Sequence, residues 1–140
     1  MKQIVFLMGF RMRKLNAILL VDDDQITNFI NKRLIKKLEV ADDIQVALNG
    51  EEALNLIKKC QKEEVECPDV IFLDINMPVT DGFGFLKAFE GMDVNKDVNV
   101  IVLTTSSNPK DIKNLESYQI KGFLNKPLTE EKVKEVIEEL

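Results

Sequence analysis

The 140-residue chain has no histidine and no tryptophan. Without histidine it can hold no Ser-His or Cys-His nucleophile pair, no His-ligated zinc and no phosphohistidine of its own. Cys60 and Cys67 match neither a metal-ligand spacing nor a CxxC motif, and two cysteines are too few for a disulfide framework, so reduced thiols are expected. Six glycines and four prolines leave no low-complexity tract or interdomain linker. No apolar run approaches the roughly eighteen residues that cross a bilayer. What remains is a chain 45% apolar and 31% charged, the size of one compact domain with a real core. Its chemistry has to come from carboxylates, lysines, hydroxyls and backbone groups.

Acidic residues are unevenly spread along the chain. The first fourteen residues carry Lys2, Arg11, Arg13 and Lys14 and no acid, so the other 126 hold 15 basic against 24 acidic side chains, a net −9. A body that acidic is a poor partner for nucleic acid or an anionic membrane surface. The apolar run Ile4–Met8 is followed at once by Arg11 and Arg13, with no cleavage site, so it is not read as a signal peptide. Residues 1–14 are expected to be an extension, flexible or upstream of a true start at Met12. Residues 15–140 are expected to be the domain, in the cytoplasm.

Five short apolar runs recur: Ala17–Val21, Ile44–Leu48, Val70–Leu73, Val100–Leu103 and Gly122–Leu124. Near-continuous Val, Ile, Leu and Phe suits parallel strands buried on both faces. Helical patterns fill the intervals. Ile26, Phe29, Ile30, Leu34 and Leu38 share one helical face, and Ala53, Leu54 and Ile57 share another. Gly82–Met92 is a third helix, Asn108-Pro109 caps and opens a fourth, and Thr129 caps a fifth. Five strand–helix alternations predict an α/β domain, a doubly wound five-stranded parallel sheet. The fourth helix offers only Ile112, Leu115 and Tyr118 for burial and is expected to be the least stable.

In an open α/β sheet, sites form outside the carboxyl ends of the strands. Those ends carry Asp22-Asp23-Asp24, Asp74, Thr104-Thr105 and Lys126. Asp24 suits a helix cap. Three carboxylates after the first strand would repel a phosphate, unlike a glycine-rich loop. With Asp74 on the neighbouring strand, such a cluster either raises pKa values or recruits a hard cation such as Mg²⁺ or Mn²⁺. A carboxylate beside a divalent ion can act as a nucleophile and accept a phosphoryl group.

The pattern resembles the receiver domain of two-component response regulators, the family of the chemotaxis response regulator. The matching segments are Ile18–Asp24, Leu73-Asp74-Ile75-Asn76-Met77-Pro78 with Asp81-Gly82, Val100–Thr104 and Phe123-Leu124-Asn125-Lys126-Pro127. Intervals of 52, 30 and 22 residues separate Asp22, Asp74, Thr104 and Lys126, in keeping with the family. The resemblance implies a flavodoxin-like sheet of order 2-1-3-4-5. It makes Asp74 the phosphoacceptor, with Mg²⁺ on Asp23, Asp74 and the carbonyl of Asn76, and with Asp22 acting through ordered water. Thr104 and Lys126 would contact the phosphoryl group, and the Lys126–Pro127 bond would be cis. Thr105 stands where the family often has a small residue. Thr104 and Phe123 would form the switch that changes the face made by the fourth helix, fifth strand and fifth helix. Phe123 lacks the polar group of the more frequent Tyr or His there.

The implied function is that of a phosphoacceptor in a phosphorelay, taking phosphoryl from a sensor histidine kinase or a histidine phosphotransfer protein. The histidine missing from this chain would lie on that partner. Such a protein is not a conventional enzyme, although it catalyses its own Mg²⁺-dependent phosphorylation and dephosphorylation. Asn76 and Ser106 sit where an attacking water would pass. With no second domain after Leu140, direct DNA binding is not expected, and the downstream partner is another protein. Three alternatives compete with this reading. An aspartyl-phosphate phosphohydrolase would want a carboxylate where Asn76 stands. A flavin protein would want a Ser/Thr/Gly phosphate loop where Asp22–Asp24 stand and aromatic residues flanking the ring, where this chain has a single tyrosine. A receiver-like interaction module that no longer takes phosphate would be expected to lack part of the set.

Overall fold

The computed structural model describes residues 4–7, 10–77, 81–94, 96–105 and 109–140, with residues 4–7, 10–13 and 109 described by their backbone. Strands β1 (Ile4–Leu7) and β2 (Phe10–Arg13) form an antiparallel ribbon. Strands and helices then alternate as β3 (Leu15–Val21), α1 (Gln25–Leu38), β4 (Ala41–Ala47), α2 (Gly50–Gln61) and β5 (Val70–Asp74), then α3 (Gly82–Glu90), β6 (Asn99–Thr104), α4 (Pro109–Leu115), β7 (Gly122–Asn125) and α5 (Glu130–Glu138). The main sheet has the order β4-β3-β5-β6-β7 and every pairing in it is parallel. Counting those five strands alone, this is the expected 2-1-3-4-5.

Side chains alternate across a strand, so a strand buried on both faces feeds two cores. In β3, Ile18 and Leu20 join Ile35, Leu38, Val133 and Ile137 on the side of α1 and α5. Leu19 and Val21 join Ala53, Ile57, Phe85 and Leu115 on the side of α2, α3 and α4. The register aligns the strand ends: Val21 pairs with Leu73, and Asp74 with Leu103. One edge of the sheet therefore collects the residues at the carboxyl end of each strand.

Three readings of the sequence change. The α1 residues Ile26, Phe29 and Ile30 are not core: they are 70%, 66% and 58% exposed, and the buried face is Asn28, Asn31, Ile35 and Leu38. Both stripes have helical spacing, and on the buried one the Asn28 amide Nδ2 donates to the Asp22 carbonyl at 2.8 Å. Cys60 and Cys67 are not separate thiols but a disulfide. After α2 the chain turns through Glu63 in the left-handed region (φ 60°), which brings the two Cα atoms within 4.9 Å. Part of the stretch expected to lie outside the fold is the β1–β2 ribbon, whose β2 runs beside α5. Ile4, Val5, Phe6 and Phe10 are residues that favour strands. The Asn108 cap of α4 and Pro78 fall outside the described residues; α4 begins at Pro109 as expected.

Candidate functional site

Asp22 leaves the end of β3 with its own N–H donating to the Ala47 carbonyl at 3.1 Å. Its Oδ1 accepts from the Asp24 N–H at 3.0 Å. Asp24 in turn caps α1, its Oδ1 taking the Ile26 N–H at 2.9 Å and its Oδ2 the Thr27 hydroxyl at 2.9 Å. These bonds, the Thr27 hydroxyl first, hold the Asp24 carboxyl below its ordinary pKa. Asp23 lies between them, exposed to solvent.

Asp74 closes β5, and its Oδ1 accepts the Asn76 N–H at 3.1 Å. The turn is held close by Gly82, whose N–H donates to the Ile75 carbonyl at 3.2 Å. A Cβ at position 82 would stand 2.8 Å from the Asp74 carbonyl oxygen, so only glycine lets α3 start there. Asp81 before it caps α3 by accepting from the Gly84 N–H at 2.8 Å. Thr104 ends β6, 2% exposed, and its carbonyl takes the Lys126 N–H at 3.0 Å.

Asp22, Asp23 and Asp74 each offer a carboxylate oxygen within 4.8 Å of the others. Into this group comes the Lys126 ammonium, 2.6 Å from Asp22 Oδ2 and 3.4 Å from Asp74 Oδ2. Asp22 and Asp74 are 4% and 6% exposed. Burial, aided by the charge of Asp22, raises the Asp74 carboxyl above its ordinary range, against the pull of the Asn76 N–H and Lys126. Burial alone would lower Lys126; its bond to Asp22 and the charges of Asp74 and Asp22 outweigh that and raise it, so the ammonium stays charged. Three carboxylates against one ammonium leave two negative charges. Two carboxylates within 4.8 Å of each other repel by at least about 3 kcal/mol at an effective dielectric near 20. A dication answers that surplus, and a cluster of buried and exposed oxygens open to water suits Mg²⁺, which keeps part of its hydration shell.

The structure thus brings together Asp22, Asp23, Asp74 and Lys126, with Thr104 on the adjoining strand and Asn76 two residues past Asp74. Asn76 is exposed. Phe123 lies apart from the cluster, on the edge strand β7 opposite Val102. It is 47% exposed and borders a depression with Ile112, Leu115, Tyr118 and Ile120. The Lys126–Pro127 peptide is cis. Ser106 lies outside the described residues. Asn28 is a site neighbour that the sequence reading misses. A polar residue recurring at helical spacing with Asn31 above Ile35 and Leu38 is the signal for it.

Comparison with known proteins meets this geometry. The model of the response regulator receiver domain matches residues 18–138. A probable C4-dicarboxylate response regulator of Halalkalibacterium halodurans is 32% identical over 84% of this chain, and the matched part is 47% of that protein's length. The chain thus spans about half of that relative. A two-component response regulator from Cytophaga hutchinsonii superposes with a TM-score of 0.80 at 28% identity, covering 91% of this chain and 97% of the other. The CheX–CheY complex with BeF3 and Mg²⁺ from Borrelia burgdorferi superposes with a TM-score of 0.70 at 29% identity, covering 84% and 83%. In fold, in strand order and over nearly its whole length, the chain belongs to the response regulator receiver domain family.

Proposed function

We propose that residues 15–140 form a phosphoacceptor of a two-component phosphorelay, with Asp74 as the group that is phosphorylated. The observation that carries this is the surplus of negative charge around a buried Asp74 that is paired to a single lysine. Asp23 and Asp74, with the Asn76 carbonyl, would hold Mg²⁺ (or Mn²⁺), and Asp22 would join through water. Bound there, the ion offsets the repulsion between the carboxylates and an incoming phosphoryl group. An Asp74 oxygen attacks phosphorus as the bond to the donor's imidazole nitrogen breaks, and the imidazole leaves with the electron pair. The Lys126 ammonium and the Thr104 hydroxyl take phosphoryl oxygens. Hydrolysis of the acyl phosphate returns the carboxylate, with water passing Asn76.

The donor is a histidine kinase or a histidine phosphotransfer protein, which supplies the histidine this chain lacks. The exposed Ile26, Phe29 and Ile30 on α1, close to Asp24, offer it an apolar surface. Thr104 drawn to the phosphoryl group and Phe123 turning inward would alter the α4–β7–α5 face read by a downstream protein. The compartment we propose is the cytoplasm. No helix among the described residues is long and apolar enough to cross a membrane. The Cys60–Cys67 bond is the one observation that runs the other way. Acetyl phosphate with Mg²⁺ is expected to label the wild type and not Asp74→Asn. Equal labelling of the two would contradict the assignment.

A further inference from the structure

Lys132 occupies the third position of α5, two residues after Glu130. The helix is capped by Thr129, whose hydroxyl accepts the Lys132 N–H at 3.3 Å. After a Thr cap, this position ordinarily favours Glu or Gln, which reaches back to the cap residue, and the first turn of a helix disfavours positive charge. A lysine there breaks the local preference twice, in a turn whose other members, Glu130 and Glu131, obey it. Such a violation asks for a gain made elsewhere.

The gain is visible in its contacts. Lys132 Nζ donates to the Asn125 carbonyl at 2.7 Å and to the Pro127 carbonyl at 2.9 Å. These are the two carbonyls that flank Lys126. The N–H of Lys126 is itself fixed to the Thr104 carbonyl at 3.0 Å. The backbone around Lys126 is therefore pinned at three points, two of them by one ammonium. The same turn is joined to α1 through Glu130 and Lys37 at 3.0 Å.

We infer that Lys132 is a positioning residue for Lys126: by clamping the carbonyls on both sides, it holds the ammonium of Lys126 over Asp22 and Asp74 and ties α5 to the site. This rests on the proposed phosphoacceptor role of Asp74. Remote misplacement of a reacting group by a fraction of an ångström to an ångström slows a reaction by about ten- to a hundredfold. In the full chain, Lys132→Met is expected to slow acetyl phosphate labelling of Asp74 roughly tenfold. Its Mg²⁺ affinity, read by titration calorimetry, should stay within about twofold, because no metal ligand is touched. Lys132→Arg, which can still donate to both carbonyls, should restore most of the rate. The inference is overturned if Lys132→Met labels at the wild-type rate, or if Lys132→Arg is no faster than Lys132→Met. Hydrogen exchange of the Lys126 amide tests it without any phosphorylation. Lys132→Met should raise that exchange roughly tenfold while leaving β5 amides protected, and an unchanged Lys126 amide would also overturn it. A wild type that does not label at Asp74 refutes the proposed function instead, and the exchange result then decides this inference by itself.

Discussion

At the two ends of β5 stand two buried aspartates, Asp69 just before the strand and Asp74 at its close, 1% and 6% exposed. Each faces a lysine: Lys96 lies 3.1 Å from Asp69 Oδ1, and Lys126 lies 3.4 Å from Asp74 Oδ2. Each lysine also reaches a second carboxylate, Lys96 to Glu66 at 3.6 Å and Lys126 to Asp22 at 2.6 Å, and the likeness ends there. Asp69 Oδ2 accepts the N–H groups of Asn16 and Ala17 at 2.6 and 3.4 Å, and its carbonyl accepts from the Asn99 backbone and side chain. That carboxylate is spent on starting β3, and the carbonyl of the same residue on holding β6 in register. Asp74 shares its lysine with Asp22, has Asp23 close by, and is pushed toward protonation by its own burial. Buried Asp–Lys pairs are therefore no sign of function in themselves. What distinguishes the carboxyl edge is unneutralised charge that only a cation or an electrophile can relieve.

Exchanging the two lysines' fates separates the two edges most strongly. Lys126→Ala is expected to lower phosphoryl transfer about a hundredfold or more, as loss of a charge-stabilising donor does. Lys96→Ala should leave transfer unchanged. Metal addition comes next. Mg²⁺ at a hundredfold excess over Kd should stabilise the wild type by about 2.7 kcal/mol in thermal unfolding. Asp23→Asn should lose most of that gain while unfolding as the wild type does without metal, since Asp23 is exposed and supports no packing. For Lys96→Ala the expected cost is about 2 kcal/mol of stability, read by urea unfolding, because Asp69 is left buried with less compensation. The amino edge's disulfide should have an effect of similar size: its reduction by a dithiol should cost roughly 2 kcal/mol, with no change in labelling.

How much of this could be read beforehand depends on what each residue answers to. The strand ends were legible because an Asp, Thr or Lys closing a run of Val, Ile and Leu contradicts its neighbours, and parallel topology brings such closures to one edge. The face of α1 was not legible. Ile26-Phe29-Ile30 and Asn28-Asn31-Ile35 are both helical stripes, and the buried one carries a side-chain bond to the Asp22 carbonyl, which no periodicity contains. The Cys60–Cys67 bond hinges on a left-handed Glu63, a residue with no strong preference for that conformation. In the sequence Lys132 is one of two lysines among the five glutamates of residues 129–140; its meaning lies in two backbone carbonyls, which are sequence-silent.

The contrast between the two ends of β5 reduces to one chemical question, which carboxylate carries the phosphoryl group. After labelling with acetyl phosphate and Mg²⁺, borohydride reduces an acyl phosphate to an alcohol, and peptide mass spectrometry finds the residue that changed. The account predicts the change at Asp74 and none at Asp69. A mark on Asp69, on Asp22 or Asp23 in place of Asp74, or no mark on any carboxylate of the wild type, would contradict it.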